Sequence, residues 1–393
     1  MQVNKQPAYA GPARILHVVG SLNRGGIETW LQQAVRLLPR GYRSDFCTYR
    51  FPRGAFADCL ERHGCRFYHI PLGSTAISFI RFVRALRGLL RTNRYDVVHS
   101  HGLLLVGLIL LIARLERVPV RIAHSHSTGS DGPSGILGRV MLFTARLAAG
   151  RCATVGVGCS REAVTAMFGA RRGLSRKHGV LHCGIDLAPF RAASSATKLR
   201  EDLGVGAQAK VLGLVANFTP PKNHRFLVSV FAEVVKRDDS PYLVLVGDGP
   251  LRREVEQQVQ LLGLSRRVIF TGQSPAAPEF LKQVINVFVM PSVREGLPLA
   301  LLEAQAAGIP CLVSDVVPGE ANVCDSVTRI PLAKGPKYWA DAILSILGTG
   351  GGRHSQALDS IERSDFNLTV SAVRLAELYG KALRQARIER TAG

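Results

Sequence analysis

Apolar positions along this 393-residue chain switch between two spacings. Short runs of β-branched, aromatic and leucine residues recur, and between them apolar residues fall three and four apart. The short runs predict strands over 14–19, 44–49, 66–70, 96–100, 120–125, 153–159 and 179–183. Helical periodicity fills most of the gaps, as over 27–38 and 79–90. The pattern then restarts, with strands over 210–217, 242–247, 268–271, 286–290 and 310–314. Alternation of this kind is the mark of parallel sheets joined by crossover helices. The segment 186–209 carries alanines and serines and no long apolar run, so the linker is placed there. The expected fold is α/β: two doubly wound domains facing across a cleft, over 14–186 and 205–370. A C-terminal helix over 371–393 is expected to pack back on the first domain. Ligands of such sheets bind at the carboxyl ends of the strands.

Composition narrows the partners. Lys+Arg 50 against Asp+Glu 29 gives +21, with pI ≈ 10.3, which favours anionic partners: nucleic acid, an anionic membrane or a phosphorylated substrate. No recognition motif or aromatic platform for nucleic acid is present, so none is expected as a partner. The eight cysteines form no CxxC pair, and no His/Cys group has zinc-finger spacing. They read as reduced thiols of a cytosolic protein, with no metal and no cofactor expected. The first thirteen residues lack the apolar core of a secretory leader. The longest apolar run, 103–113, would make a helix of roughly 16 Å, about half of a bilayer core, so no transmembrane helix is expected.

The stretch PSVREGLPLALLEAQAA over 291–307 is the richest in chemistry. It follows the apolar strand INVFVM and opens a helix. Gly296 allows a tight bend, and Pro298 suits a first helical turn, where its missing N–H has no helical partner to lose. Free amides and the helix dipole there suit a diphosphate. Glu295 lies in the loop, and Glu303 lies about one and a half turns into the helix, where a carboxylate can accept hydrogen bonds from sugar hydroxyls. A strand–loop–helix with one capping and one surface glutamate fits the same spacing. After the first strand, Gly25 and Gly26 in GSLNRGGIET would let a phosphate or sugar approach the backbone, or simply make a turn. Gly249, in Gly247-Asp248-Gly249-Pro250 after YLVLV, offers the same two readings. Lys222, in NFTPPKNH, can neutralise a diphosphate or stay a solvated lysine. His99 and His101 end one strand and His124 and His126 the next, each pair sharing a face. These imidazoles can accept protons, hold an acceptor sugar, bind a metal or satisfy backbone groups.

Taken together, these motifs resemble the retaining nucleotide-sugar glycosyltransferases with two Rossmann-like domains (GT-B), most of all the bacterial capsular and exopolysaccharide group 1 branch. The resemblance covers roughly 14–384. Its most specific element is Glu295-x7-Glu303 within PSxxEGLPLxLLEAxAxGxP. Gly25-Gly26-Ile27-Glu28, Val97-Val98-His99-Ser100-His101, Ile122-Ala123-His124-Ser125-His126, Gly184-Ile185-Asp186, Lys222-Asn223-His224 and Gly247-Asp248-Gly249-Pro250 support it.

The resemblance implies an acceptor-side first domain and a second domain that binds the nucleotide sugar. Glu303 would bind the ribose and Glu295 the donor-sugar hydroxyls. The amides near Gly296 and Leu297, with Lys222, would hold the diphosphate. The Gly25-Gly26 loop would contact donor phosphate or acceptor, and His126 or His124 would lie near the reacting carbon. Transfer retains anomeric configuration without an obligatory metal. The expected donor is a UDP-sugar, or else a GDP-sugar, and the acceptor a lipid-linked or other saccharide in cell-surface polysaccharide synthesis. Two positions depart from the family pattern: Asn217 replaces an arginine five residues before Lys222, and Asn286 replaces an aspartate at the start of a strand. The rival functions are a nucleotide-sugar isomerase or epimerase, and a non-catalytic sugar-nucleotide-binding partner subunit. Finally, residues 74–95 carry Arg81, Arg84, Arg87, Arg91 and Arg94 beside an apolar stripe of Ile77, Ile80, Val83, Leu86 and Leu90. Such a helix fits either a solvated crossover helix or the anionic inner face of the cytoplasmic membrane, where the protein would sit peripherally.

Overall fold

A computed structural model of the chain describes residues 12–52, 54–129, 135–169, 177–192, 196–349 and 356–391. These form two compact units, one running up to Cys183 and taking in the residues from Thr369 onward, the other Gly184–Leu368. Each is built on one parallel sheet. The first sheet holds β1 (Ala13–Val19), β2 (Tyr42–Thr48), β3 (Phe67–His69), β4 (Val97–His101), β5 (Val120–Ser125), β6 (Val155–Gly158) and β7 (His178–Val180). Their order is β3-β2-β1-β4-β5-β6-β7. The second holds β8 (Val211–Val215), β9 (Tyr242–Val246), β10 (Val268–Gly272), β11 (Val287–Met290), β12 (Cys311–Ser314) and β13 (Val327–Ile330), in the order β10-β9-β8-β11-β12-β13. In both, the strand order reverses beside the first strand, between β1 and β4 and between β8 and β11. Such a reversal opens a crevice at the carboxyl ends.

The strands form where side chains are apolar on both faces, as a sheet covered by helices on both sides requires. β13 is the one strand that the sequence pattern does not announce. It is an edge strand paired only with β12, and its Thr328 and Arg329 are exposed. The apolar run at 103–113 becomes the helix Val106–Leu115, with Val106, Ile109, Leu110, Ile112 and Ala113 buried. Among the described residues no helix is long and apolar enough to cross a membrane. This helix packs on Gly135–Cys152 at Gly107, where a Cβ would stand 2.5 Å from the carbonyl oxygen of Ala145.

The basic helix is Ala76–Asn93, capped by Thr75, whose hydroxyl accepts the N–H of Ser78 at 3.2 Å. Phe82, Leu86 and Leu90 enter the core. The arginine stripe is divided. Arg87 and Arg91 both pair with Glu116, whereas Arg81 and Arg84 stay exposed beside Ile77, Phe79 and Ile80, which are 63%, 44% and 50% exposed. The C-terminal helix Leu368–Thr391 joins the first unit. Trp30 Nε1 donates to Ser371 Oγ at 2.8 Å, Tyr42 Oη donates to the Ala376 carbonyl at 3.1 Å, and Tyr379 is fully buried.

The segment read as a linker differs from a loose connection; its residues 193–195 lie outside the described residues. It carries helices Ala188–Arg191 and Ala196–Asp202 and is fastened to the second unit by side chains. Lys282 Nζ donates to the carbonyls of Pro189 at 2.6 Å and Ala192 at 2.7 Å, and Arg200 donates to those of Gln283, Val284, Gly206, Ala207 and Ala209. Backbone carbonyls collected by two cations add to the burial of Leu187, Phe190 and Val205, apolar residues too scattered to form a long run in the sequence. Gly107→Val is expected to force two packed helices apart and to destabilise the first unit by about 1–3 kcal/mol, read as a lowered midpoint in urea.

Candidate functional site

In the second unit the loops after β8, β9 and β11 are tied to one another. Lys222 Nζ donates to Glu295 Oε1 at 2.6 Å, and Ser292 Oγ donates to the same oxygen at 2.6 Å. Glu295 is buried and Lys222 half-buried, so the ion pair is shielded more than a surface pair. Val293 N–H donates to the Pro221 carbonyl at 2.9 Å, Asn223 Nδ2 to the Pro291 carbonyl at 3.1 Å, and Ser314 Oγ, at the end of β12, to the Ser292 carbonyl at 2.6 Å. Asn223 has φ +54°, a left-handed conformation that asparagine tolerates, and it turns the chain into the helix His224–Val235. Gly249 is at φ +156°, and a Cβ there would meet the Phe218 carbonyl oxygen at 2.7 Å. The Gly247-to-Pro250 segment is therefore a close approach between loops as well as a turn.

Gly296 is buried and Leu297 half-buried in the loop before the helix Leu299–Ala306. Pro298 is the N-cap itself, not a first-turn residue, so the first amides free of intrahelical partners are those of Leu299 and Ala300. Glu303, fifth in this helix, is half-buried, and burial pushes its carboxyl pKa up to about 7. Gln305 anchors the helix from its buried side: Nε2 donates to the Ala321 carbonyl at 2.8 Å, and Oε1 accepts the Val323 N–H at 2.9 Å. The two departures from the family pattern have different surroundings. Asn286 Oδ1 accepts Val211 N–H at 2.9 Å and Arg200 Nη2 at 3.1 Å, so a neutral amide oxygen fills an acceptor position. Asn217 lies half-buried in the loop that carries Lys222. Arg225, two residues past Asn223, is held at 2.7 Å by Glu254.

In the first unit, Gly25 caps the helix Gly26–Arg36, and Gly26 is exposed. Glu28, in the first turn, is half-buried; burial raises its pKa to about 7 against the lowering effect of its own backbone N–H. At the carboxyl halves of β1, β4 and β5 stand five buried histidines in two hydrogen-bonded rows. One row runs Ser44 Oγ, His17, His101, His126, with contacts of 3.3, 3.2 and 3.0 Å, and ends at Cys183 Sγ, 3.8 Å from His126 Nδ1. The other runs Tyr379 Oη, His99, His124, with contacts of 2.8 and 3.2 Å. The rows stack: His99 lies over His101 at 4.2 Å and His124 over His126 at 3.8 Å between centroids. Burial lowers the pKa of every ring, to about 3 for His17 and His126, so all five are neutral at pH 7. Nitrogens of His17, His99 and His101, and of His101, His124 and His126, lie within 4.8 Å of one another. Each triplet is close enough for one ion. Hydrogen-bonded rings in these rows are tilted by only 9° to 27°, however, so their lone pairs point at neighbouring rings rather than at a common centre.

The sequence-derived residues thus fall into two groups. Asn217, Lys222, Gly249, Glu295, Gly296, Leu297 and Glu303 cluster around the β8–β11 reversal, and Gly25, Gly26, His124 and His126 belong to the first unit. His17, Ser44, Cys183, Ser292 and Tyr379 were missed. His17 interrupts the apolar run of β1 and Ser292 lies three residues before Glu295 in the same loop, so both carry a sequence signal; Ser44, Cys183 and Tyr379 are joined to their groups by the fold.

Residues 195–358 match the family described as glycosyl transferases group 1, and residues 24–180 the glycosyl transferase 4-like domain. The chain is 32% identical over 371 residues to EpsF of Bacillus subtilis (strain 168), named as a glycosyltransferase, with 93% of this chain and 96% of EpsF covered. The chain belongs to the group 1 glycosyltransferases. This glycosyltransferase is also 27% identical to the UDP-Gal:alpha-D-GlcNAc-diphosphoundecaprenol alpha-1,3-galactosyltransferase of Escherichia coli, covering 77% of this chain and 79% of that one. Its fold is that of Anabaena HepE, solved in complex with UDP and glucose, at TM-score 0.78, 20% identity and coverage of 94% and 100%. Membership in a transferase family sets aside the isomerase and the non-catalytic partner.

Glu303 makes the glycosyltransferase's stability depend on pH. Its folded pKa of about 7 lies above the ordinary 4.5, so between these values the folded chain holds a proton that the unfolded chain releases. Stability is therefore lost as pH rises from 4.5 to 7. Glu303→Gln is expected to be more stable than wild type at pH 8 and about equal at pH 4.5, as measured by urea unfolding at both.

Proposed function

We propose that this glycosyltransferase moves a hexose from a UDP-sugar to a lipid-linked or other saccharide acceptor in cell-surface polysaccharide synthesis, with retention of anomeric configuration. The carrying observation is the Lys222–Glu295 pair beside the Leu299–Ala306 helix. It places a cation, a carboxylate and two open amides at the carboxyl end of β11. The ionised Glu303 accepts the ribose hydroxyls. Lys222 and the Leu299 and Ala300 amides hold the diphosphate, and Glu295, oriented by Lys222 and Ser292, accepts from the sugar hydroxyls. Negative charge grows on the departing nucleoside diphosphate, so a cation at Lys222 stabilises the transition state more than the ground state. HepE's complexes with UDP and glucose, and the UDP-galactose and diphosphoundecaprenol in the Escherichia coli relative's name, support the donor and acceptor classes. Turnover of a panel of UDP- and GDP-sugars, with and without lipid-linked acceptor, tests the reading; the product's anomeric configuration decides retention.

Lys222→Ala is expected to lower kcat at least about 100-fold. Asn217→Arg, which adds a cation to the same loop, is expected to raise it. Steady-state transfer rates check both, and a rate that survives Lys222→Ala would sink the diphosphate assignment.

The acceptor class also supports peripheral attachment at the inner face of the cytoplasmic membrane. Ile77, Phe79 and Ile80 stand exposed next to the exposed Arg81 and Arg84. Each cation near an anionic surface contributes about 1 kcal/mol. Binding to vesicles of anionic lipid is expected to weaken as salt rises, and to weaken about 30-fold in the double variant Arg81→Gln, Arg84→Gln. Co-sedimentation measures it.

A further inference from the structure

The helix Gly135–Cys152 of the first unit is apolar on two opposite faces. Gly138, Ala145, Ala149 and Cys152 are buried, and Gly107 of the neighbouring helix lies against Ala145 and Ala148. At about 100° per residue, Ile136, Val140, Phe143 and Leu147 fall on the opposite side. All four are exposed, Ile136 by 75% and Phe143 by 65%. A surface helix normally sets one apolar stripe against a polar outer face, and a helix apolar all round is covered on every side. The outward stripe runs over roughly 16 Å of helix. Leu111 and Leu115, one turn apart on the helix Val106–Leu115, are exposed as well. A row of this kind differs from scattered surface leucines and marks an interaction face.

Charge selects what covers it. The stripe steps by four, three and four, which is also the spacing of a coiled-coil seam, so a second copy of the chain competes for the face. Arg139 and Arg146, seven apart, flank the stripe where a coiled coil carries the charges that choose its partner. Neither this helix nor Val106–Leu115 contains an Asp or Glu, whereas the two carry Arg114, Arg139, Arg146 and Arg151. Glu116, just beyond, is held by Arg87 and Arg91. Two copies paired here would bring arginines to the seam with no carboxylate to meet them. An anionic bilayer supplies both halves of what the face needs, acyl chains for the stripe and phosphates for the guanidinium groups.

We propose that the outward face of Gly135–Cys152, with Leu111 and Leu115, lies in the interface of an anionic bilayer, the apolar stripe among the acyl chains and Arg139 level with the lipid phosphates. The proposal rests on the peripheral attachment read above for its class of lipid and goes beyond it in mechanism. Attachment at Arg81 and Arg84 is a contact between charges, which salt screens. Burial of the stripe is a second contact, driven by apolar area, that salt leaves in place.

Vesicles of phosphatidylglycerol, with phosphatidylcholine as the neutral control, test this on the full chain. In Phe143→Trp, tryptophan emission should shift to the blue on anionic vesicles and be quenched by brominated acyl chains. Trp30 and Trp339 are fully buried and should not respond. The double variant Phe143→Gln, Leu147→Gln should co-sediment at least about tenfold more weakly and lose the binding that survives high salt. Both side chains are exposed, so its urea midpoint should match the wild type. Unshifted emission from sedimented Phe143→Trp protein overturns the proposal and leaves the attachment at Arg81 and Arg84 standing; so does undiminished sedimentation of the glutamine variant. Wild-type protein that does not sediment at all overturns both. A dimer in analytical ultracentrifugation that the glutamine variant dissociates gives the face to a second copy and also overturns the proposal. None of these readouts depends on sugar transfer.

Discussion

A parallel sheet covered by helices on both faces has little room for polar side chains, because each must find a partner inside the core or reach the sheet's carboxyl edge. Both units obey this constraint. In the second, strands β8 and β11 are buried and apolar, and charge begins only in the loops that leave them, at Lys222 and Glu295. In the first, polar rings enter the strands themselves at β1, β4 and β5, and they do so as neutral histidines that satisfy one another. The reversal of strand order places each group where a crevice opens.

The two units solve the cost of burial differently. A carboxylate in the second unit is kept beside a cation and a hydroxyl, as at Glu295, or carries a raised pKa, as at Glu303. Two donors hold the paired Glu295 in place, whereas burial favours the protonated form of the half-buried Glu303. In the first unit Glu28 likewise carries a raised pKa, and burial strips the imidazoles at the strand ends of their charge.

Net charge alone overstates the surface available to anionic partners. Several arginines act inside the fold as collectors of backbone carbonyls: Arg200 holds the segment entering the second unit, and Arg121 donates to the Cys152 and Val118 carbonyls at 2.7 Å each. Arg87 and Arg91 share Glu116. On the same helix, Arg81 and Arg84 stay exposed beside Ile77, Phe79 and Ile80.

The sequence by itself determined the two α/β repeats, because buried strands and crossover helices impose different spacings on the same apolar residues. All twelve expected strands are present, and only the half-exposed edge strand β13 lacked a readable pattern. It also determined the group around Glu295 and Glu303, since those residues lie within one strand–loop–helix where local spacing fixes their geometry. Tertiary structure alone decided which distant side chains complete each group. Lys222 meets Glu295 across 73 residues, and Tyr379 meets His99 across 280. Such contacts are made by sheet order and helix docking, which depend on packing between segments far apart in the chain and leave no periodic trace in either one.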